Sequence, residues 1–88
     1  MIIVKRRGHT EKFDQRKLYA SIYSACMAAQ MTEKACEEYA KLVTEKVKKD
    51  LKKKQSTDSK TIFKLAIKHL RKKSKDAAFL YETHRDVS

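Results

Sequence analysis

One glycine, Gly8, and no proline serve the whole 88-residue chain. Positive backbone φ is cheap for glycine and costly for other residues, so a single place is marked where the chain can reverse tightly. That place is Arg7-Gly8-His9, between the β-branched opening Ile2-Ile3-Val4-Lys5-Arg6 and Thr10–Phe13, and the reading is a β-hairpin. The same scarcity removes whole function classes. A dinucleotide fingerprint or a Walker A loop needs several glycines to bring backbone amides up to phosphates, and flexible linkers need Gly or Pro. Eighty-eight residues make one small domain, residues 1–88, which hides roughly 60 to 70% of its unfolded surface and leaves little room for an enclosed catalytic cavity. No run approaches the roughly 18 apolar residues of a spanning helix, and the apolar opening is too brief for a signal peptide, so the expected setting is soluble and cytoplasmic.

Beyond the hairpin the apolar residues recur at three- and four-residue spacing, the mark of helices with one buried stripe. Asp14 stands as an N-cap before a first helix expected over 15–30, with Leu18, Ile22, Ala25, Cys26 and Ala29 as its stripe. Thr32 caps a second, striped by Cys36, Ala40, Val43, Val47 and Leu51, with Glu33 and Glu37 at its positive end and lysines from Lys46 to Lys53 at its negative end. The polar stretch Lys54–Asp58 breaks the pattern. Asp58 or Ser59 caps a third helix carrying Ile62, Leu65, Ala66 and Leu70, and Arg71–Lys75 ends it. Asp76 is the expected start of a short last helix through Ala77, Ala78, Leu80 and Tyr81, with His84-Arg85-Asp86 at its end. The residues alone therefore give a hairpin followed by about four helices, a mostly helical α+β chain.

Twenty-two Lys and Arg against 11 Asp and Glu leave a formal charge of +11, which favours an anionic partner: nucleic acid, nucleotide phosphate or an acidic protein surface. Lys5-Arg6-Arg7 concentrates three cations in the hairpin, where they either contact phosphate or guard a sheet edge against aggregation. Lys17 sits in the first turn of the first helix, against the helix dipole. It either joins the free amides there in holding an anion or lays its stem over the hairpin. The Lys46–Lys54 run and the Arg71–Lys75 cluster are either solvated helix ends or a nucleic-acid face. Cys26 and Cys36, nine residues apart on apolar faces, fit buried thiols better than a zinc or redox motif. His9, His69 and His84 are scattered and suggest no metal site, and no nucleophile occupies a recognisable elbow, so no enzymatic activity is expected.

The stretch from Ile3 to Leu18, followed by Ser21-Ile22, closely resembles the opening of the ATP-cone domain: an apolar residue, Lys-Arg, a glycine, a Glu three residues later, Phe-Asp and Lys-Leu ahead of Ser-Ile. Ser59 three residues before Ile62, and the close Tyr81-Glu82-Thr83-His84-Arg85, are similar to later parts of the pattern. The resemblance implies a three-stranded sheet on a helical bundle that binds ATP or dATP, with or without Mg²⁺, as a regulatory module of ribonucleotide reductases and of the repressor of their genes. It implies that Lys5 and Arg6 meet phosphates with help from Lys17, and that Glu11 faces the base or orders nearby cations. Ile3 and Leu18 then supply apolar walls, Val4 belongs to the same site, Ser59 lies near the ribose or base edge, and Phe63 and Tyr81 complete the lining. Arg7 departs from the pattern, standing where the family usually has an acidic residue. Neither a reductase catalytic chain nor a zinc ribbon is present in these residues, so the output is expected through a protein partner or self-association. The alternative is a small basic nucleic-acid-binding protein that uses its lysine-rich helix ends. Nucleotide hydrolysis is disfavoured by the lack of a carboxylate cluster for Mg²⁺.

Overall fold

The computed structural model describes residues 3–6, 9–54 and 56–83, with the side chains of Arg6 and His9 excepted. The chain runs β1 (Ile3–Arg6), β2 (His9–Lys12), α1 (Gln15–Ala28), α2 (Glu33–Leu51), β3 (Ser56–Asp58), α3 (Ser59–Arg71) and α4 (Lys75–Thr83). β1 lies between its two partners: antiparallel to β2, with Val4 opposite Glu11 and Lys5 opposite Thr10, and parallel to β3, with Val4 beside Thr57 and Lys5 beside Asp58. The mixed three-stranded sheet and four helices agree with the α+β expectation. The turn residues Arg7 and Gly8, and the tail with His84, Arg85 and Asp86, lie outside the described residues.

Each helix begins where a short polar side chain satisfies an orphan amide. Asp14 accepts from the Arg16 amide at 2.9 Å and Thr32 from the Ala35 amide at 3.2 Å. Asp58, not Ser59, caps α3, taking the Thr61 amide at 2.7 Å, so Ser59 becomes the first helical residue. The hydroxyl of Ser74 takes the Ala77 amide at 3.1 Å, which starts α4 at Lys75 and leaves Asp76 inside the first turn, where its charge favours the dipole. The expected end of α1 needs correction. The helix stops at Ala28, and Gln30 turns left-handed at φ 62°. The Met31 amide reaches back to the Cys26 carbonyl (3.2 Å) and the Gln30 amide to the Met27 carbonyl (2.9 Å), a Schellman close built without glycine.

α1 packs on α2 and α4, and α3 packs on the same two, so the four helices form a ring, with β1 and β3 laid against α3. The core at its centre combines Leu18, Ile22, Val43, Val47, Leu51 and Leu70 with the small side chains of Cys26, Cys36, Ala40, Ala66, Ala77 and Ala78. Small residues let helix axes approach closely, and the branched ones fill what remains, each contributing about 1.5–3 kcal/mol by leaving water. Both cysteines are free and buried, as the sequence led us to expect. Between α2 and α3, Asp50 and the buried His69 meet at 2.7 Å.

Candidate functional site

Strand alternation sorts the sheet residues into two rows. Val4 is buried at 5% exposure, and Thr57, beside it, at 9%, so this row faces the helices; Glu11 belongs to it by register but stays exposed on the edge strand. Ile3 and Lys5 occupy the other row, Ile3 half-buried and Lys5 exposed. Arg6 is placed by its backbone opposite His9.

The topology then fixes where the helix starts stand. Because β2 runs against β1, α1 begins at the Ile3 end of the sheet; because β3 runs with β1, α3 begins at the Lys5 end. Lys5 is thus brought beside Asp58 and the start of α3, where Ser59 is exposed and Phe63, one turn on, is half-buried. Phe63 stacks on Tyr81 of α4, ring centroids 5.2 Å apart and planes inclined by 22°. Burial pushes the Tyr81 hydroxyl up to about 12, so it stays protonated and can donate. Lys17 and Leu18 belong to the opposite end. Leu18 is buried in the core, while Lys17 is exposed and its carbonyl takes the Ser21 hydroxyl at 2.8 Å. The expected site residues therefore fall into two groups, at either end of a strand only four residues long.

Charge distribution gives these groups a common property. Among the described residues no carboxylate pairs with Lys5 or Lys17, and no cation pairs with Glu11. Asp58 is already engaged: hydrogen bonds from Thr61 hold its carboxyl below the usual carboxylate range, and Lys60 adds to this. Sequence reading also missed a candidate. Thr57 is buried on the helix-facing row with no partner for its hydroxyl oxygen among the described residues, whereas Ser59, the residue singled out, stands at an exposed helix start. The signal was present in Ser56-Thr57-Asp58 as a β-branched residue between two polar ones, but three residues are too few for alternation to speak.

A second surface lies elsewhere. A cleft of about 600 Å³ between the start of α1 and the end of α2 is lined by Lys12, Arg16, Lys48, Lys52 and Lys54, together with the half-buried Phe13. An adjoining cleft of about 270 Å³ shares Arg16 and Lys48 with it and runs on to Lys41 and Tyr19. None of the residues that the resemblance assigns to the nucleotide lines either cleft, whereas Lys48, Lys52 and Lys54 come from the Lys46–Lys54 run. No group of three or more His, Cys, Asp or Glu among the described residues is placed to hold a metal ion, and no described helix is long and apolar enough to cross a membrane.

Comparison with known proteins gives one finding. A family model described as the ATP cone domain matches residues 1–86. No curated protein and no solved structure matches the chain.

Proposed function

Because the chain belongs to the ATP-cone family of nucleotide-binding regulatory domains, we propose that it binds ATP or dATP at the sheet and signals by ligand-dependent association with itself or with a protein partner. The observation that carries this reading is the family match across 1–86 joined to Lys5 and Lys17, cations of the matched motif that have no carboxylate partner among the described residues.

Lys5 and Arg6 take the triphosphate, Lys as a point charge and Arg as a fork of donors, while Lys17, at the opposite end of the strand, adds only longer-range positive charge. Glu11, exposed on the edge strand with no cation partner among the described residues, accepts from the base or sugar. Ile3 forms an apolar wall, with the buried Val4 and Leu18 as the floor beneath it. Ser59 at the start of α3 and the Thr57 hydroxyl from β3, without a partner among the described residues, supply short donors, and the Phe63–Tyr81 stack closes the side. Mg²⁺, when it is carried, enters on the phosphates, since such ions are commonly held by one or two carboxylates plus substrate oxygens. The role is regulatory and needs no chemical step. Adenine nucleotides are abundant in the cytoplasm, which is where this reading puts the protein. A nucleotide shifts an association equilibrium only by the difference in its affinity for the two assembly states.

The test is thermal unfolding with ATP, dATP and GTP, alongside light scattering. At a hundredfold excess over Kd a ligand stabilises by about 2.7 kcal/mol. The expected result is an ATP or dATP effect larger than that of GTP, abolished in Lys5→Ala/Arg6→Ala with helical content intact, and a change in particle mass on adding nucleotide. Equal shifts for all nucleotides, or a double variant that responds like the parent, would overturn it.

A further inference from the structure

We infer that the lysine-lined groove between α1 and α2 is a second, separate anion-binding surface that fits the phosphate backbone of a nucleic-acid duplex. The two adjoining clefts form one track, because Arg16 and Lys48 belong to both. Along α2 and its C-cap its cations are Lys41, Lys48 and Lys52, spaced seven and four residues apart and so aligned on one face. At 1.5 Å of rise per residue they span about 16 Å. Lys54 extends the line past the helix end, and Lys12 and Arg16 form the opposite wall.

The carboxylates in this track are already occupied. Glu45 pairs with Lys48 at 3.6 Å, and Asp14 caps α1 and pairs with Arg16 at 3.8 Å. Lys12, Lys41, Lys52 and Lys54 have no ion-pair partner among the described residues. Six cations face two engaged carboxylates, so a polyanion gains attraction along the whole track.

The remaining lining residues select the kind of polyanion. A protein partner needs an apolar anchor to fill a desolvated interface centre. A single-strand reader needs exposed aromatic faces on which bases stack. The groove offers neither: Phe13 and Tyr19 are half-buried and packed against the core, and Tyr19 also stacks on Tyr23 with centroids 6.3 Å apart. What remains is a straight row of point charges. Counting both strands, a duplex carries a phosphate about every 1.7 Å of its axis, so the four cations of this row can each meet one and neutralise about four in all. Contact of this kind reads backbone and not sequence. The surface excludes every residue proposed for the nucleotide, so either reading can fail without the other.

Fluorescence anisotropy with a labelled 20-base-pair duplex, titrated over a salt series, tests the inference. Affinity is expected to fall with salt with a log–log slope of about −4, near −0.9 per phosphate neutralised. Lys48→Gln/Lys52→Gln/Lys54→Gln is expected to make the slope shallower by about 2 to 3 and to weaken binding more than about tenfold at low salt, while leaving in place the ATP-induced thermal shift that persists at about 0.5 M salt. The charge-matched control Lys34→Gln/Lys64→Gln/Lys75→Gln, on exposed positions away from the groove, is expected to change the slope little. Absence of duplex binding at 50 mM salt overturns the inference, as do equal losses in both triple variants, tighter binding of a single strand of the same length, or displacement of the duplex by polyglutamate as readily as by unlabelled duplex.

Discussion

His69 shows how one side chain joins burial to charge. It lies at 9% exposure between α2 and α3, one ring nitrogen 2.7 Å from the Asp50 carboxylate and the other buried without a partner among the described residues. That hydrogen bond is the main reason the Asp50 carboxyl sits below its ordinary value, with Lys68 and Lys46 pulling the same way and partial burial opposing them. A carboxyl depressed in the folded state contributes stability above its ordinary value of about 3.9 and loses it as pH falls through the folded value. Asp50→Asn is therefore expected to destabilise the domain by about 1 kcal/mol at pH 7, a figure kept low because Asp50 is partly exposed. In urea titrations the gap between parent and variant should close as the pH is brought below that range; a gap independent of pH would mean that the carboxylate charge is not what holds the latch. None of this was legible in the sequence. Asp50 and His69 are 19 residues apart and meet only because α2 and α3 pack together. The thiols were legible, since two Cys on apolar helical stripes have only the core to enter, and burial pushes the Cys26 thiol up to about 11.

At the scale of elements, the helix starts could be read from Asp14, Thr32 and Asp58 because a cap is a local bargain between one side chain and the amides that follow it. Helix ends and β3 were harder. The three residues of β3 have no apolar alternation, and they are a strand only because β1 offers an unpaired edge alongside. The first helix carries no glycine to stop it, so spacing alone carries its stripe to Ala29 and the expected helix to residue 30. The structure instead stops it by forcing Gln30 to φ 62°, a conformation costing a non-glycine residue about 1 kcal/mol. The turn is held because Met31 packs against the core and its amide closes onto Cys26. Gln30→Gly is expected to relieve that cost. Part of the gain is offset by the greater freedom of glycine in the unfolded chain, leaving about 0.5 kcal/mol and a melting temperature higher by about 2–4 °C. Gln30→Val, whose branched side chain tolerates this region least, should move the midpoint the other way. Equal midpoints for the three proteins would show that the turn adopts another conformation in solution.

At the scale of the whole molecule, a charge of +11 on 88 residues makes the folded state repel itself, and any polyanion that neutralises the surface relieves that repulsion. A thermal shift with ATP would arise even if the triphosphate only wandered over lysines, so the shift alone does not locate a nucleotide site. The two contributions differ in range. Diffuse attraction to exposed lysines is screened once the Debye length falls from about 10 Å at 0.1 M salt toward 3 Å at 1 M. Contacts to the base and sugar by Glu11, Thr57 or the Phe63–Tyr81 wall depend on hydrogen bonding and packing and are screened far less. ATP and inorganic tripolyphosphate are therefore expected to stabilise the domain comparably in dilute buffer and to diverge as salt rises. Near 0.5 M the tripolyphosphate shift should have largely vanished while ATP retains a shift of several degrees. Thr57→Val, which keeps the β-branched shape and removes only the hydroxyl, is expected to reduce the salt-resistant part and leave the salt-sensitive part unchanged. The lysine groove should behave in the opposite sense, its loss lowering only what salt already removes. If the two ligands stay parallel at every ionic strength, adenosine contributes nothing and the sheet does not recognise the nucleotide.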